Sequence, residues 1–370
     1  MKNYIFPDYN NSLLNLMASL RKYYGLDHNY QTLDVVDKEL AKNYKTVIIL
    51  LLDGMGSFIM DKHKSFIPFM MEHKVADYYS TFPCTTAAAT TSLINTLAPI
   101  ESGWLGWHQY FKQIDRDTVM FTGVGYYDEI EYQPNPSYTY VPYIHFRQTL
   151  IEKGVDAEYI LPKWYKEAPA KNINDFFNKI RRFANKPSDK LKYMYAYWEE
   201  PDHCLHDNGT ESKNVSMLLK DLDKRVKKLA SKLPEDTLLI VTADHGHHDI
   251  KNLYLSEHPD LIDTLVRLPS IEPRNSTFFV KKGQEKTFEE LFKKYYGDYF
   301  LLLTKKEVYE KKLFGLGTPH PLADDFIGDY QAIAIDDYQL LPKVYKRQMK
   351  SAHAGILEDE MTIPLIFIHK

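Results

Sequence analysis

Six side chains that could ligate metal ions stand close to segments with the pattern of buried strands. They are Asp53, Asp202, His206, Asp244, His245 and His353. Proteins with an open α/β sheet bind small molecules at the carboxyl ends of the strands. Residues in the turns that follow the strands are therefore expected to lie close together. Carboxylates and imidazoles are zinc ligands, and a catalytic zinc takes three protein ligands and keeps one position open. Six ligands therefore suffice for two divalent ions that also bind substrate.

A hydroxyl that could act as a nucleophile lies in Phe82–Ser92, between the first two ligand groups. Thr86 stands at the start of a helix predicted over Thr86–Leu97, and the alanines after it leave space in front of the hydroxyl. Backbone N–H groups at a helix start favour an anion, and a metal-bound hydroxyl has a lowered pKa. A plain N-cap role explains one of the two threonines Thr85 and Thr86 without any chemistry. Thr81 is a third candidate.

The elements that must position these residues alternate between strands and helices. The predicted strands include Val47–Leu52, Val119–Val124, Leu191–Trp198, Thr237–Thr242 and Ile363–Ile368, with helices between them. Alternating strands and helices predict an α/β fold: a mostly parallel sheet covered by helices on both faces.

The segment 255–329 has a different pattern, with short strand candidates, two Lys/Glu-rich helices and several prolines. We interpret it as a small α+β cap inserted into a core formed by residues 1–254 and 330–370. Asp53 and His353 are 300 residues apart, yet the predicted site needs both. Successive domains along the chain would split that site.

Composition excludes several classes of protein. The 370 residues are 44% hydrophobic and 26% charged, as in a globular protein, with a net charge of −4 and no basic block that would bind a nucleic-acid polymer. Two cysteines cannot form a disulfide framework and fit a reducing compartment. No apolar run is long enough for a membrane span, and the N-terminus lacks a signal-peptide pattern. We therefore expect a cytoplasmic protein.

Five motifs make the sequence resemble the alkaline phosphatase superfamily, in particular its type I phosphodiesterase/nucleotide pyrophosphatase branch. In chain order these are Leu52-Asp53-Gly54, Thr86-Ala87-Ala88, Asp202-x-x-x-His206, Ala243-Asp244-His245-Gly246 and His353-Ala354-Gly355. The resemblance covers nearly the whole chain outside the predicted cap. It implies an alkaline-phosphatase-like core.

The resemblance also implies a role for each ligand candidate. Asp53, Asp244 and His245, together with the Thr86 hydroxyl, would hold the ion that activates the nucleophile. The second ion would be held by Asp202, His206 and His353. The ions are expected to be Zn²⁺, with Mn²⁺ as an alternative. The implied reaction is hydrolysis of phosphodiester or nucleotide pyrophosphate bonds in a small phosphate ester, a nucleotide for example, through a phosphothreonine intermediate.

Two other functions stay open at this point. Members of the resembled phosphodiesterase branch usually have an asparagine three residues after the nucleophile to hold a phosphoryl oxygen. This sequence has Ala89 there, which favours a phosphomonoesterase or a phosphonate hydrolase on the same core. A non-catalytic metal-binding protein is the alternative from another class. Trp104 and Trp107 are candidates for the substrate pocket or for loop packing, and His247 for an outer partner of the ligands or a solvated turn.

Overall fold

The computed structural model describes residues 3–162 and 169–370. The helices in this part of the chain are α1 (Leu13–Tyr23), α2 (Asp34–Leu40), α3 (Ser57–Lys62), α4 (Pro68–Glu72), α5 (Thr86–Asn95), α6 (Pro99–Ser102), α7 (Pro136–Tyr140), α8 (Phe146–Glu152), α9 (Ile173–Asn185), α10 (Asp202–Asn208), α11 (Lys213–Ala230), α12 (Pro259–Ile262), α13 (Glu285–Tyr296), α14 (Lys305–Glu310), α15 (Ala323–Ile327) and α16 (Glu358–Met361). The strands are β1 (Thr46–Leu52), β2 (Lys74–Tyr79), β3 (His108–Phe111), β4 (Arg116–Val119), β5 (Asp156–Ile160), β6 (Lys192–Trp198), β7 (Thr237–Thr242), β8 (His248–Asp249), β9 (Lys251–Tyr254), β10 (Leu265–Glu272), β11 (Asn275–Val280), β12 (Phe300–Thr304), β13 (Tyr330–Ala334), β14 (Tyr338–Leu341), β15 (Ser351–Ala352) and β16 (Thr362–Ile368).

A central sheet of six strands has the order β2-β16-β7-β1-β6-β5. β1 pairs in parallel with β6 and β7, and β5 pairs in parallel with β6. All seven residues of β1 are buried, as expected for a strand covered on both faces. The predicted α/β class with a mostly parallel sheet is confirmed. The exception is β16, which runs antiparallel to β2 and β7.

The register of this sheet brings three carboxyl ends to one level. Leu52 of β1 pairs with Trp198 of β6, and Leu51 pairs with Thr242 of β7. The chain therefore leaves all three strands at the same edge of the sheet. Beyond that edge, the N–H of Asp202 donates to the carbonyl of Asp53 at 3.0 Å, which ties two of the turns together.

A second sheet has six antiparallel strands in the order β12-β13-β11-β10-β3-β4. Three of them, β10, β11 and β12, lie in the predicted cap, whereas β3, β4 and β13 come from outside its boundaries. The cap at 255–329 remains a prediction. The strand predicted over Val119–Val124 is wrong, because β4 ends at Val119 and the chain then turns.

The second sheet carries a smaller hydrophobic core of its own, which includes Phe278 of β11 and Phe288 and Phe292 of α13. The main core surrounds the central sheet. Within residues 3–162 and 169–370, no helix combines the length and apolar character needed to cross a membrane.

Candidate active site

Asp53, Asp244 and His245 form the first group of ligand candidates, directly after β1 and β7. Nε2 of His245 lies 3.3 Å from Oδ1 of Asp53 and 3.6 Å from Oδ2 of Asp244. All three side chains are buried. The structure thus brings together two carboxylates and one imidazole that are up to 192 residues apart in the sequence.

The donor atoms of this group fit a cation. Oδ1 of Asp53 and Oδ2 of Asp244 are buried and have no hydrogen-bond partner among the described residues. The opposite oxygens are occupied: Tyr197 donates its hydroxyl to Oδ2 of Asp53, and Gly54 donates its N–H to Oδ1 of Asp244 at 3.1 Å. A buried carboxylate oxygen without a partner is costly. A divalent ion between the two free oxygens and Nε2 of His245 would remove that cost.

Asp202, His206 and His353 form the second group, and the structure adds His247 to it. Oδ1 of Asp202 lies 3.3 Å from Nε2 of His206, 2.7 Å from Nε2 of His247 and 3.7 Å from Nε2 of His353. The rings of His245 and His353 stack with centroids 3.6 Å apart, so the two groups adjoin.

Three imidazoles are held with Nε2 pointing into the site. Their Nδ1 atoms lie within hydrogen-bond distance of backbone carbonyls: His206 with Ser351 (2.7 Å), His245 with Gly246 (3.0 Å) and His353 with Cys84 (3.1 Å). A carbonyl only accepts, so each Nδ1 carries the proton. Backbone contacts of this kind fix ring orientation and leave Nε2 as the atom that can bind a metal ion.

The buried charges shift one another's pKa values in opposite directions. Burial raises the pKa of Asp53 and of Asp244 well above the usual range, and the neighbouring carboxylates add to the effect. Burial acts the same way on Asp202, but His206 and His247 outweigh it and hold its pKa well below the usual range. Burial lowers the pKa of His206, yet Asp202 prevails and raises it to about 9. A bound cation would take the place of that proton.

Thr86 begins α5 beside the first group. Its Oγ1 lies 3.2 Å from Nε2 of His245, and its side chain is buried. The alternative Thr85 points elsewhere, because its hydroxyl donates to Oε1 of Glu272 at 2.5 Å. Thr81, the third candidate, is completely buried. Of the three hydroxyls, only that of Thr86 has a hydrogen bond to a ligand candidate among the described residues.

The structure separates the two tryptophan candidates. Trp104 is completely buried and donates its indole N–H to the carbonyl of Val141, so it packs in the core. Trp107 is 39% exposed. Ala89 is completely buried within α5 and carries no polar group that could hold a phosphoryl oxygen, so the alternative reaction on the same core stays open.

His247, predicted either as an outer partner of the ligands or as part of a solvated turn, is completely buried, and its Nε2 lies 2.7 Å from Oδ1 of Asp202. Two further residues at the site, Tyr197 and Glu272, are not predicted by the sequence. Tyr197 and Glu272 contact Asp53 and Thr85 over separations of 144 and 187 residues. The sequence signal for Glu272 is weak, because it is a carboxylate at the end of β10, a strand that also contains the charged Arg267.

Comparisons with known proteins concern the family and the fold of this chain. The family model for type I phosphodiesterase/nucleotide pyrophosphatase matches residues 47–353. The bis(5′-adenosyl)-triphosphatase of Xenopus laevis is 36% identical over 81 residues, and that of Homo sapiens 35%. This match spans 20% of the chain and 18% of each relative.

Solved structures share the fold over most of the chain. Murine ectonucleotide pyrophosphatase/phosphodiesterase 5, as an inactive threonine-to-alanine variant in complex with AMP, aligns with a TM-score of 0.65 and 17% identity, covering 86% of this chain and 87% of that chain. Phosphonoacetate hydrolase from Sinorhizobium meliloti, in complex with phosphonoformate, aligns with a TM-score of 0.65 and 14% sequence identity, covering 87% of this chain and 89% of that chain. The extent of the family match decides the assignment: this chain belongs to the type I phosphodiesterase/nucleotide pyrophosphatase family of hydrolases.

Proposed function

We propose that this protein hydrolyses phosphodiester or pyrophosphate bonds of small nucleotides, with Thr86 as the nucleophile in a site for two divalent ions. The observation that carries the proposal is the Thr86 hydroxyl at the start of α5, 3.2 Å from Nε2 of His245 and next to two groups of buried or half-buried ligand candidates. A helix start favours the negative charge of a phosphoryl group.

Each of the two groups of ligand candidates would hold one metal ion. Asp53, Asp244 and His245 would hold one ion with Thr86. Asp202, His206 and His353 would hold the other, with His247 in contact with Asp202. Three carboxylates and three imidazoles suit Zn²⁺, with Mn²⁺ as an alternative. When bound, two such ions lower the pKa of the threonine hydroxyl and neutralise charge on the phosphoryl group.

Thr86 would react by in-line displacement. Its oxygen forms a bond to phosphorus while the bond from phosphorus to the leaving oxygen breaks, and the hydroxyl proton passes to solvent. Water then attacks the phosphorus of this phosphothreonine ester, which still carries the remaining nucleotide group. The bond from phosphorus to the Thr86 oxygen breaks, one proton of the water returns to Thr86, and the phosphate monoester leaves. Backbone N–H groups in the first turn of α5 would donate to the phosphoryl oxygens, and catalysis would come chiefly from positioning and charge neutralisation.

The comparisons support a nucleotide as the substrate class. The curated relatives carry the name bis(5′-adenosyl)-triphosphatase, and a structural neighbour binds AMP. The same neighbour is inactive as a threonine-to-alanine variant, which agrees with a threonine nucleophile. A cytoplasmic location, expected from two free cysteines, stays a prediction that fractionation of expressing cells would test.

A kinetic comparison tests the proposal. Zinc-loaded protein is expected to cleave bis-p-nitrophenyl phosphate and a diadenosine polyphosphate faster than p-nitrophenyl phosphate. Thr86→Ala should abolish this activity, while Thr85→Val should stay within about tenfold of the native rate, because Thr85 bonds to Glu272 instead. Thr91→Ala, at another buried threonine of α5, is the matched control for packing.

Three results would contradict the proposal. Zinc-loaded native protein that cleaves neither ester class would exclude a phosphohydrolase. A strong preference for the monoester, or for a phosphonate, would show that this core catalyses the alternative reaction instead of diester hydrolysis. Full activity of Thr86→Ala would exclude Thr86 as the nucleophile.

A further inference from the structure

Glu272, at the end of β10, links the second sheet to the start of the nucleophile helix. One of its oxygens, Oε1, accepts the Thr85 hydroxyl at 2.5 Å and the N–H of Trp107 at 2.8 Å. The side chain is only 7% exposed. A single buried oxygen thus fixes both the residue before Thr86 and the backbone of the exposed Trp107.

The contact with Thr85 changes how α5 begins. Thr85 is the N-cap residue, with extended backbone angles of φ −137° and ψ 149°. A threonine here ordinarily accepts a hydrogen bond from an N–H of the first turn. Thr85 makes no such bond to α5, because its side chain is turned to Glu272. First-turn N–H groups, which have no carbonyl partner within a helix, thereby stay available to an anion.

The contact with Trp107 fixes the backbone of a loop that lies beside the start of α5. Trp107 is 39% exposed, whereas its neighbours Trp104 and His108 are buried. Its backbone is joined to Thr85 through the same oxygen of Glu272, so it lies next to the start of α5. Displacement of Glu272 would therefore move the nucleophile segment and this loop together.

We propose that Glu272 is a positioning residue that turns the Thr85 hydroxyl away from the N-terminus of α5 and so keeps that N-terminus open for the phosphoryl group. This inference rests on the proposed function of Thr86. Glu272 acts through Thr85 and Trp107 and does not itself react.

Two substitutions of Glu272 separate positioning from charge. Glu272→Ala removes the acceptor, and kcat for the diester should fall about 10- to 100-fold, the cost of a misplaced reacting group, with a smaller change in KM. Glu272→Gln keeps an oxygen that can accept both hydrogen bonds, so kcat should stay within about threefold. Equal losses in both variants would overturn positioning as the role.

A double variant tests the capping step itself. In Glu272→Ala the freed Thr85 hydroxyl can rotate and cap α5, where it competes with the phosphoryl group. Valine cannot cap, so Thr85→Val/Glu272→Ala should recover part of the kcat lost in Glu272→Ala. A double variant as slow as Glu272→Ala, or slower, would overturn this part of the inference.

Asp223→Asn is the matched control. Asp223 is also a buried carboxylate that accepts two hydrogen bonds, from the N–H groups of Phe69 and Met70. It belongs to α11, however, and joins that helix to α4. This variant should lower the melting temperature and leave kcat unchanged. If Glu272→Ala behaves the same way, Glu272 is merely structural and the inference fails, while native activity and an inactive Thr86→Ala would still support the proposed function.

Discussion

Loss of the buried ion pair between Arg274 and Glu360 should destabilise the fold strongly. Nε and Nη2 of Arg274 donate to the two carboxylate oxygens of Glu360 at 2.7 and 2.6 Å, and both side chains are completely buried. Arg274 also donates to the carbonyls of Asp336 and Tyr338, and Glu360 accepts the N–H of Gly355 at 2.9 Å. The pair therefore connects the second sheet to the loop that carries His353.

The magnitude follows from the burial of both charges. Removing one partner of a buried pair costs about 3–5 kcal/mol, because the other charge stays buried without compensation. With an unfolding entropy of ~2.1 cal/mol/K per residue, a loss of about 4 kcal/mol lowers the melting temperature of this chain by roughly 5 °C. Arg274→Met and Glu360→Gln should each show such a loss, and the double variant should lose clearly less than their sum.

Thermal and urea unfolding of the three variants measures these losses. Arg347→Met is the matched control, because Arg347 pairs with Asp207 at 2.5 Å but both side chains are more than half exposed, so less than about 1 kcal/mol should be lost. An Arg274→Met loss as small as that of Arg347→Met would refute the reasoning. So would exact additivity in the double variant, since it would mean that the two charges do not interact.

Three further predictions concern the ligands and the thiols. Chelation should lower the melting temperature and added zinc should restore it, since a ligand at 100 times its Kd stabilises the folded state by about 2.7 kcal/mol; an unchanged melting temperature would count against a bound metal. Asp244→Asn should bind fewer zinc ions per chain than native protein by elemental analysis, and an equal content would exclude Asp244 as a ligand. A thiol reagent should label Cys204 and leave Cys84 unmodified in the folded protein, because Cys204 is partly exposed whereas Cys84 is buried. Burial raises the pKa of both thiols, and that of Cys84 well above its usual range; rapid labelling of Cys84 would contradict its burial.

The ligand candidates could be predicted from the sequence because strand ends are local features. Apolar runs such as Val47–Leu52 and Thr237–Thr242 indicate buried strands, and parallel pairing then puts the residues after them at one edge. The structure brings Asp53 and Asp244 together in this way, and His353 joins Asp202. Their roles as metal ligands remain predictions.

The remaining features depend on contacts that no local pattern specifies. The apolar run of β16 does not show its direction, and only its pairing with β2 and β7 makes it antiparallel. The sequence does not predict β2, because only one of its six residues is buried and the segment lacks the apolar pattern of a buried strand. Glu272 approaches Thr85 only because β10 packs beside the main core, over a separation of 187 residues.

The most direct test of the central claim is to locate the covalent intermediate. Zinc-loaded protein is mixed with a nucleotide diester, quenched in acid during turnover, digested and analysed by tandem mass spectrometry. The account predicts a phosphoryl or nucleotidyl adduct on Thr86 that is lost in Thr86→Ala. An adduct on Thr85 or Thr81, or rapid turnover with no adduct on any threonine of this segment, would contradict it.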